Sequence, residues 1–147
     1  YNLDTLYSYN INRQGFCHIL HKQTPDNTDI LNEFKSQDLC EWKQNGAYGY
    51  LLRELNKYEY FITYDRHSFF TVAAVLCGCK AIILNVDDTS PEQYRLENPI
   101  QKYGVAYGLS DISWANKTVG LAREHIINID KEDHQTVIKF NNYWKSV

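Results

Sequence analysis

Apolar positions along the chain come in short runs between polar turns, and the runs switch between two periods. The clearest case is Tyr58 to Leu84. Tyr58 to Asp65 is aromatic and β-branched and closes on a polar residue, the pattern of a buried strand. Arg66-His67-Ser68 interrupts it, and Ser68 is placed to cap a helix. Phe69, Val72, Ala73, Leu76 and Cys77 then recur at helical spacing, and Phe70 and Ala74 widen the stripe. Gly78 predicts a left-handed stop. Lys80 to Leu84 reads as a second strand. Strand, helix and strand in this order form a βαβ unit with parallel strands.

The same alternation continues on both sides. Phe16 to Leu20 fits a first strand. Pro25-Asp26-Asn27 signals a turn, with Thr28 or Asp29 capping a short helix through Phe34. Asp38 to Trp42 reads as a second short strand or an irregular connection. Gly46 to Lys57 predicts a helix whose apolar side is Leu51, Leu52 and Leu55. Asn85 to Pro91 is a loop, and Pro91 suits the first turn of a helix capped by Ser90 and ending near Glu97. Gly104 to Gly108 is a short strand or a loop. Ser110-Asp111 opens a helix from Ile112 to about Ile127, with Trp114, Ala115, Thr118, Leu121, Ala122 and His125 on one face. Asp130 is expected to cap a last helix, Lys131 to Trp144, packed through Val137, Phe140, Tyr143 and Trp144. Tyr1 to Gln14 shows no period and reads as a leading loop or linker. The whole predicts one α/β domain over 1–147, Rossmann-like and three-layered, with a mainly parallel sheet.

Composition narrows the function. The 147 residues suffice for one core. The chain begins on Tyr1 and holds no methionine, so it reads as a piece of a longer protein. A net charge of −3 leaves no basic surplus for phosphates, which argues against nucleic acid and anionic membranes as partners. No apolar run has the length of a membrane span, and no signal peptide is visible. Cys17, Cys40, Cys77 and Cys79 lie in or beside apolar runs without zinc-site spacing, and are expected as reduced thiols. Asp87-Asp88 reads as a loop turn rather than a metal pair. Neither a metal nor a cofactor is expected.

The candidate chemistry sits after the strand that ends near Asp65, because ligands of such units lie at the carboxyl ends of strands. Ser68 and the first helical N–H groups suit an anion, or form a plain cap. Asp65 either holds a sugar or nucleoside hydroxyl or fixes the turn. Arg66 and His67 either neutralise phosphate or form a solvated turn. Tyr64 either stacks on a base or serves the strand. Lys22, closing the first strand, either stabilises charge on a departing diphosphate or is an ordinary surface lysine. His21 and Arg13 are weaker candidates. Tyr107 and Gly108 precede a helix and are further candidates for ligand contact.

Tyr64-Asp65-Arg66-His67-Ser68, running into Ala73-Ala74-Val75-Leu76-Cys77-Gly78-Cys79 and a strand, resembles the C-terminal half of GT-B glycosyltransferases. The closest likeness is to bacterial enzymes of capsule and lipopolysaccharide biosynthesis. In these, Tyr-Asp-Pro, one residue, then Thr or Ser open an alanine-rich helix ending in Gly-Cys. The stretch from Arg13 to Lys22 and the Gly104–Gly108 block are compatible. Arg66 departs from the pattern by replacing the proline. Val72 stands where many members carry a glutamate that grips the donor ribose, and no Gly-Gly phosphate turn opens the chain.

The resemblance implies a hexosyltransferase-type glycosyltransferase whose nucleotide-sugar donor is bound by this half. Lys22, Tyr64, Asp65, Arg66, His67, Ser68, Tyr107 and Gly108 are the expected donor contacts. The other implied partners are a glycan or lipid-linked acceptor and an N-terminal GT-B domain that supplies the catalytic base. A cytoplasmic location is implied, with membrane association only through parts outside this chain. The piece alone would bind without turnover. The rival class is a flavodoxin- or receiver-like nucleotide- or phosphate-binding module without transferase activity. Asp65 is a strand-end acid, as a receiver needs, but no acidic pair lies near the first strand. His21-Lys22-Gln23-Thr24 is a poor flavin phosphate loop. A third class is an interaction domain docked through the aromatic final segment.

Overall fold

Four of the apolar runs and the polar pair Gln37–Asp38 form strands in the computed structural model, which describes residues 12–20, 24–43 and 48–132. They are β1 (Phe16–His18), β2 (Gln37–Asp38), β3 (Tyr60–Thr63), β4 (Lys80–Ile83) and β5 (Val105–Tyr107). All pair in parallel, in the order β2-β1-β3-β4-β5. The helices are α1 (Asp29–Glu33), α2 (Tyr48–Leu55), α3 (Phe69–Cys77), α4 (Pro91–Glu97) and α5 (Ile112–Glu132). Single 3₁₀ turns cover Cys40–Lys43, Pro99–Gln101 and Leu109–Asp111.

Parallel strands covered on both faces read as unbroken apolar runs. Phe61 to Thr63, Ala81 to Ile83 and Val105 to Tyr107 are buried residue by residue. Cys17, Phe61, Ala81, Ile83, Val105 and Tyr107 face α2, α3 and α4, meeting Leu51, Leu55, Val72, Val75 and Tyr94. On the opposite face Ile62 packs with Leu31 of α1, and Ile82 and Ala106 with Ala115 and Ile112 of α5. The result is the expected α/β three-layer, Rossmann-like domain. Among the described residues no helix is long and apolar enough to cross a membrane.

The caps follow the local sequence. Ser68 Oγ accepts from the Phe70 N–H, and Gly78 sits at φ +94° after Cys77. The N–H groups of Gly78 and Cys79 close the end on the Val75 and Ala74 carbonyls. Ser90 Oγ accepts from Gln93, and Pro91 opens α4. Thr28 precedes α1 without a side-chain cap bond. Asn27 acts there instead, its Oδ1 accepting from the Asp29 N–H.

Three expectations change. The second strand is Gln37–Asp38, and most of the predicted Asp38–Trp42 stretch is a 3₁₀ turn. Leu121 is 55% exposed, while Ala115, Thr118, Ala122 and Ile126 are buried. The buried stripe is shifted by one position because α5 first covers the sheet and then passes the amino end of β5 to reach the α3 side, where Ala122 and Ile126 pack. Asp130 caps no new helix, since α5 runs through it to Glu132. Val137, Phe140, Tyr143 and Trp144 lie outside the described residues.

Cys17, Cys77 and Cys79 are buried free thiols and Cys40 is an exposed one. Burial raises the Cys17 thiol and pushes Cys77 up to about 12. A hydrogen bond with Asp38 raises Cys40. Thiolate is the reactive form, so Cys17, Cys40 and Cys77 should react slowly at neutral pH, and burial shields Cys79 from reagent. Native labelling without reductant is expected to modify Cys40 first, and labelling in denaturant to modify all four. An intact mass showing fewer than four modified thiols in denaturant would count against the reduced state.

Candidate functional site

The carboxyl ends of all five strands share one edge. The chain leaving β1 goes to α1 on one face, while the chain leaving β3 goes to α3 on the other. Neighbouring strands whose connections part in this way open a crevice between them, the usual ligand position in doubly wound sheets. On the β3 side the crevice is bounded by Tyr64 to Ser68. On the β1 side it is bounded by Ile19 and Leu20; the candidates His21 and Lys22 lie outside the described residues.

The turn at Asp65 is built by its own side chains. Thr63 Oγ1 accepts from the Asp65 N–H at 3.0 Å, and Asp65 Oδ1 accepts from the His67 N–H at 2.9 Å. The Asp65 carboxylate therefore fixes the turn that delivers Ser68 to the start of α3. Ser68 Oγ is 3.1 Å from the Phe70 nitrogen, and the side chain is buried. His67 is exposed. Phe69 is 40% exposed, off the helical core to which its spacing assigns it. Thr71 Oγ1, in the first turn of α3, is buried without a hydrogen-bond partner among the described residues.

Arg66 turns sideways rather than over the helix. Its Nε donates to the Asn85 carbonyl at 2.6 Å, its Nη1 lies 3.6 Å from Asp87, and its guanidinium stands 5.4 Å from the Tyr94 ring centre. Asp87 is held well below the ordinary carboxylate range, chiefly by hydrogen bonding with Thr89 and then by the Tyr94 hydroxyl. Arg66 thus joins the β3–α3 and β4–α4 loops along the edge.

Other candidates are placed away from the opening. Tyr64 is 9% exposed and packs with Ile62 and Leu31, so its ring belongs to the sheet face, and burial raises its hydroxyl pKa. Tyr107 is 2% exposed. It stacks on Tyr94 with ring centres 5.0 Å apart and donates to the Gln101 carbonyl at 3.3 Å. Its side chain is a core element. Gly108 does reach the edge. It sits at φ +93°, donates to the Ile83 carbonyl, and has Val86 close against the place of a Cβ. Arg13 lies at the opposite, amino end. Its guanidinium donates to the carbonyls of Leu55, Tyr58 and Cys77, tying the ends of α2 and α3 together.

One edge residue escapes the sequence pattern. His18 ends β1 and is 7% exposed, with Nδ1 2.7 Å from Ser36 Oγ. Burial lowers its pKa and Asp38 opposes the shift in part, so the ring is neutral at pH 7. In the sequence it is one polar position in the run Phe16 to Leu20. Its place at the last strand position is the available signal. No group of three or more His, Cys, Asp or Glu side chains is gathered for a metal among the described residues. No protein-family model, characterised protein or solved structure is found to match the chain.

Proposed function

We propose that this chain is the nucleotide-sugar-binding half of a GT-B glycosyltransferase that builds a surface glycan of the capsule or lipopolysaccharide kind. The observation that carries the reading is the Asp65–Ser68 turn. It stands at the crevice of a doubly wound parallel sheet and presents the start of a nine-residue helix. The motif resemblance across Tyr64–Cys79 supports the same reading. In it the diphosphate meets the first N–H groups of α3, with Ser68 at the helix start. Lys22 supplies the positive charge, while Arg66 braces the neighbouring loop through Asn85 and Asp87, and an N-terminal domain brings the acceptor and the catalytic base.

A second reading is favoured by the strand order, which is the flavodoxin and receiver order. Asp65 is then the strand-end acid. Against it, β1 ends on His18 and runs on into Ile19 and Leu20, with no acidic side chain there.

A thermal-shift panel separates the two. A nucleoside diphosphate or nucleotide sugar at a hundredfold excess over its Kd should add about 2.7 kcal/mol of stability. Flavin mononucleotide or acetyl phosphate would shift the melt under the second reading. With the best diphosphate, Ser68→Gly should weaken binding about tenfold, a lost hydrogen bond to a charged oxygen. The helix should suffer little, since glycine is a tolerated cap. Lys22→Ala should weaken the diphosphate more than the parent nucleoside. Equal calorimetric affinities across wild type, Ser68→Gly and Lys22→Ala would remove the diphosphate from this turn.

A further inference from the structure

Thr71, in the first turn of α3, is 0% exposed, and its Oγ1 meets no hydrogen-bond partner among the described residues. A buried hydroxyl left unpaired costs the fold, so such groups are paired unless a site, a water or an ion accounts for them. The usual remedy is close at hand and is not taken. A helical threonine commonly donates to the carbonyl three or four residues back, here that of Ser68 or His67. The Ser68 carbonyl accepts from the Thr71 N–H at 3.2 Å, and the Thr71 hydroxyl joins neither.

The helix fixes where this hydroxyl lies. Val75 is one turn further on the same face, and its Cγ1 is 3.1 Å from the place of a Cβ on Gly104, just before β5. Thr71 therefore sits on the face of α3 turned to the sheet, whereas Phe69 is exposed. Because β3 and β4 are parallel, the helix that joins them runs back along the sheet, and its first turn stands at the carboxyl edge. The Cα–Cβ bond of a helical residue tilts toward the helix N-terminus, and the side chain lies over the preceding turn. For Thr71 that turn is Asp65–Ser68. Ser68 is also buried there, and its Oγ accepts from the Phe70 N–H, an arrangement in which a hydroxyl can still donate its own proton. The start of α3 thus holds one hydroxyl above another, both leaning toward the helix N-terminus and its positive dipole end.

We propose that Thr71 is a specificity-determining contact at this turn, donating to a second oxygen of the bound diphosphate when Ser68 turns onto the first. The inference rests on the nucleotide-sugar reading. A ligand with several charged oxygens on one phosphate group uses both hydroxyls, and a nucleoside uses neither. The Thr71 hydroxyl is unpaired in the empty chain and paired in the complex, so its contribution belongs to binding and not to folding. Local rules broken in this way are expected at functional sites.

The test uses the full chain and whichever of UDP, GDP, ADP and CDP raises its melting temperature most. Thr71→Val keeps the shape of the side chain and removes the hydroxyl. In calorimetry it should weaken that diphosphate about tenfold or more, the loss of a hydrogen bond to a charged oxygen, and leave the parent nucleoside unchanged. Without ligand the variant should melt no lower than wild type, because it discards an unpaired polar group. Thr71→Ser retains the hydroxyl and should retain the affinity. A Thr71→Val chain that melts lower has lost a structural hydrogen bond, and one that binds the diphosphate as wild type does has lost no contact. Either result overturns this inference and leaves the diphosphate reading standing. A wild-type chain that none of the four diphosphates stabilises overturns both.

Discussion

Asp111→Ala is expected to cost the fold about 3–5 kcal/mol. Asp111 Oδ2 accepts from Arg95 Nη1 at 2.8 Å and from the Tyr107 N–H at 3.0 Å. The Arg95 and Asp111 side chains are 8% and 11% exposed, so solvent screens the pair little. Removing the carboxylate leaves a guanidinium against the Trp114 ring without its counter-charge. It also leaves the last N–H of β5 without an acceptor. The partial pairing with Glu92, which is 77% exposed, cannot make up the loss. Denaturant unfolding of wild type, Asp111→Ala and the double change Arg95→Leu/Asp111→Leu decides the matter. The double change should recover much of the stability, because a buried pair replaced as a whole removes both desolvated charges. A single Asp111→Ala loss below about 1 kcal/mol would mean that the pair behaves as a surface one.

The other large effect is expected at Gly104. Its φ is +77°, and an added Cβ would lie 3.1 Å from Val75 Cγ1 and 3.2 Å from both Cα and Cγ2 of Val119. The left-handed backbone costs a side chain about 1–2 kcal/mol, and overfilling a packed site adds about 1–3. The Val119 backbone has no room to retreat, since the Gly104 N–H is bonded to Thr118 Oγ1 at 3.0 Å on the same helix. Gly104→Ala should therefore lose about 2–5 kcal/mol. Gly120 is the control. It lies within α5 with nothing within 4 Å of an added Cβ, so Gly120→Ala should gain about 0.5–1 kcal/mol. Matched denaturant melts that show no loss for Gly104→Ala would refute the close approach of α5 to β5.

These two sites also mark what the sequence can and cannot convey. Ser68, Gly78, Ser90 and Pro91 are readable because a cap is decided within a few residues. β3 and β4 are readable because burial on both faces leaves an unbroken apolar run, whereas β2 is the polar pair Gln37–Asp38 and gives no such signal. Arg95 looks like an ordinary helix residue because its partner, Asp111, arrives from beyond β5. Arg13 looks like a ligand candidate because proximity to the first strand does not say at which end it lies. Leu121 falls in the buried stripe only if one face of α5 meets one surface, whereas α5 meets two. At the candidate site the turn is legible as a motif, Asp65–Ser68. That Arg66 points along the edge to Asn85 and Asp87 is not, because the β4–α4 loop determines it.

The strand order also implies a sequence of events during folding. β3 pairs with β4 through Tyr60 and Lys80, β4 with β5 through Ala81 and Val105, and β1 with β2 through Cys17 and Gln37. The seam between β1 and β3 joins Phe16 to Tyr60, about twice the chain length of the others. Closing it costs about 0.6 kcal/mol more in loop entropy. The chain thus assembles most cheaply as two locally paired pieces that dock along β1 and β3. That docking line is also where the carboxyl-edge crevice opens. A ligand lodged there spans both pieces and holds shut the last seam to form.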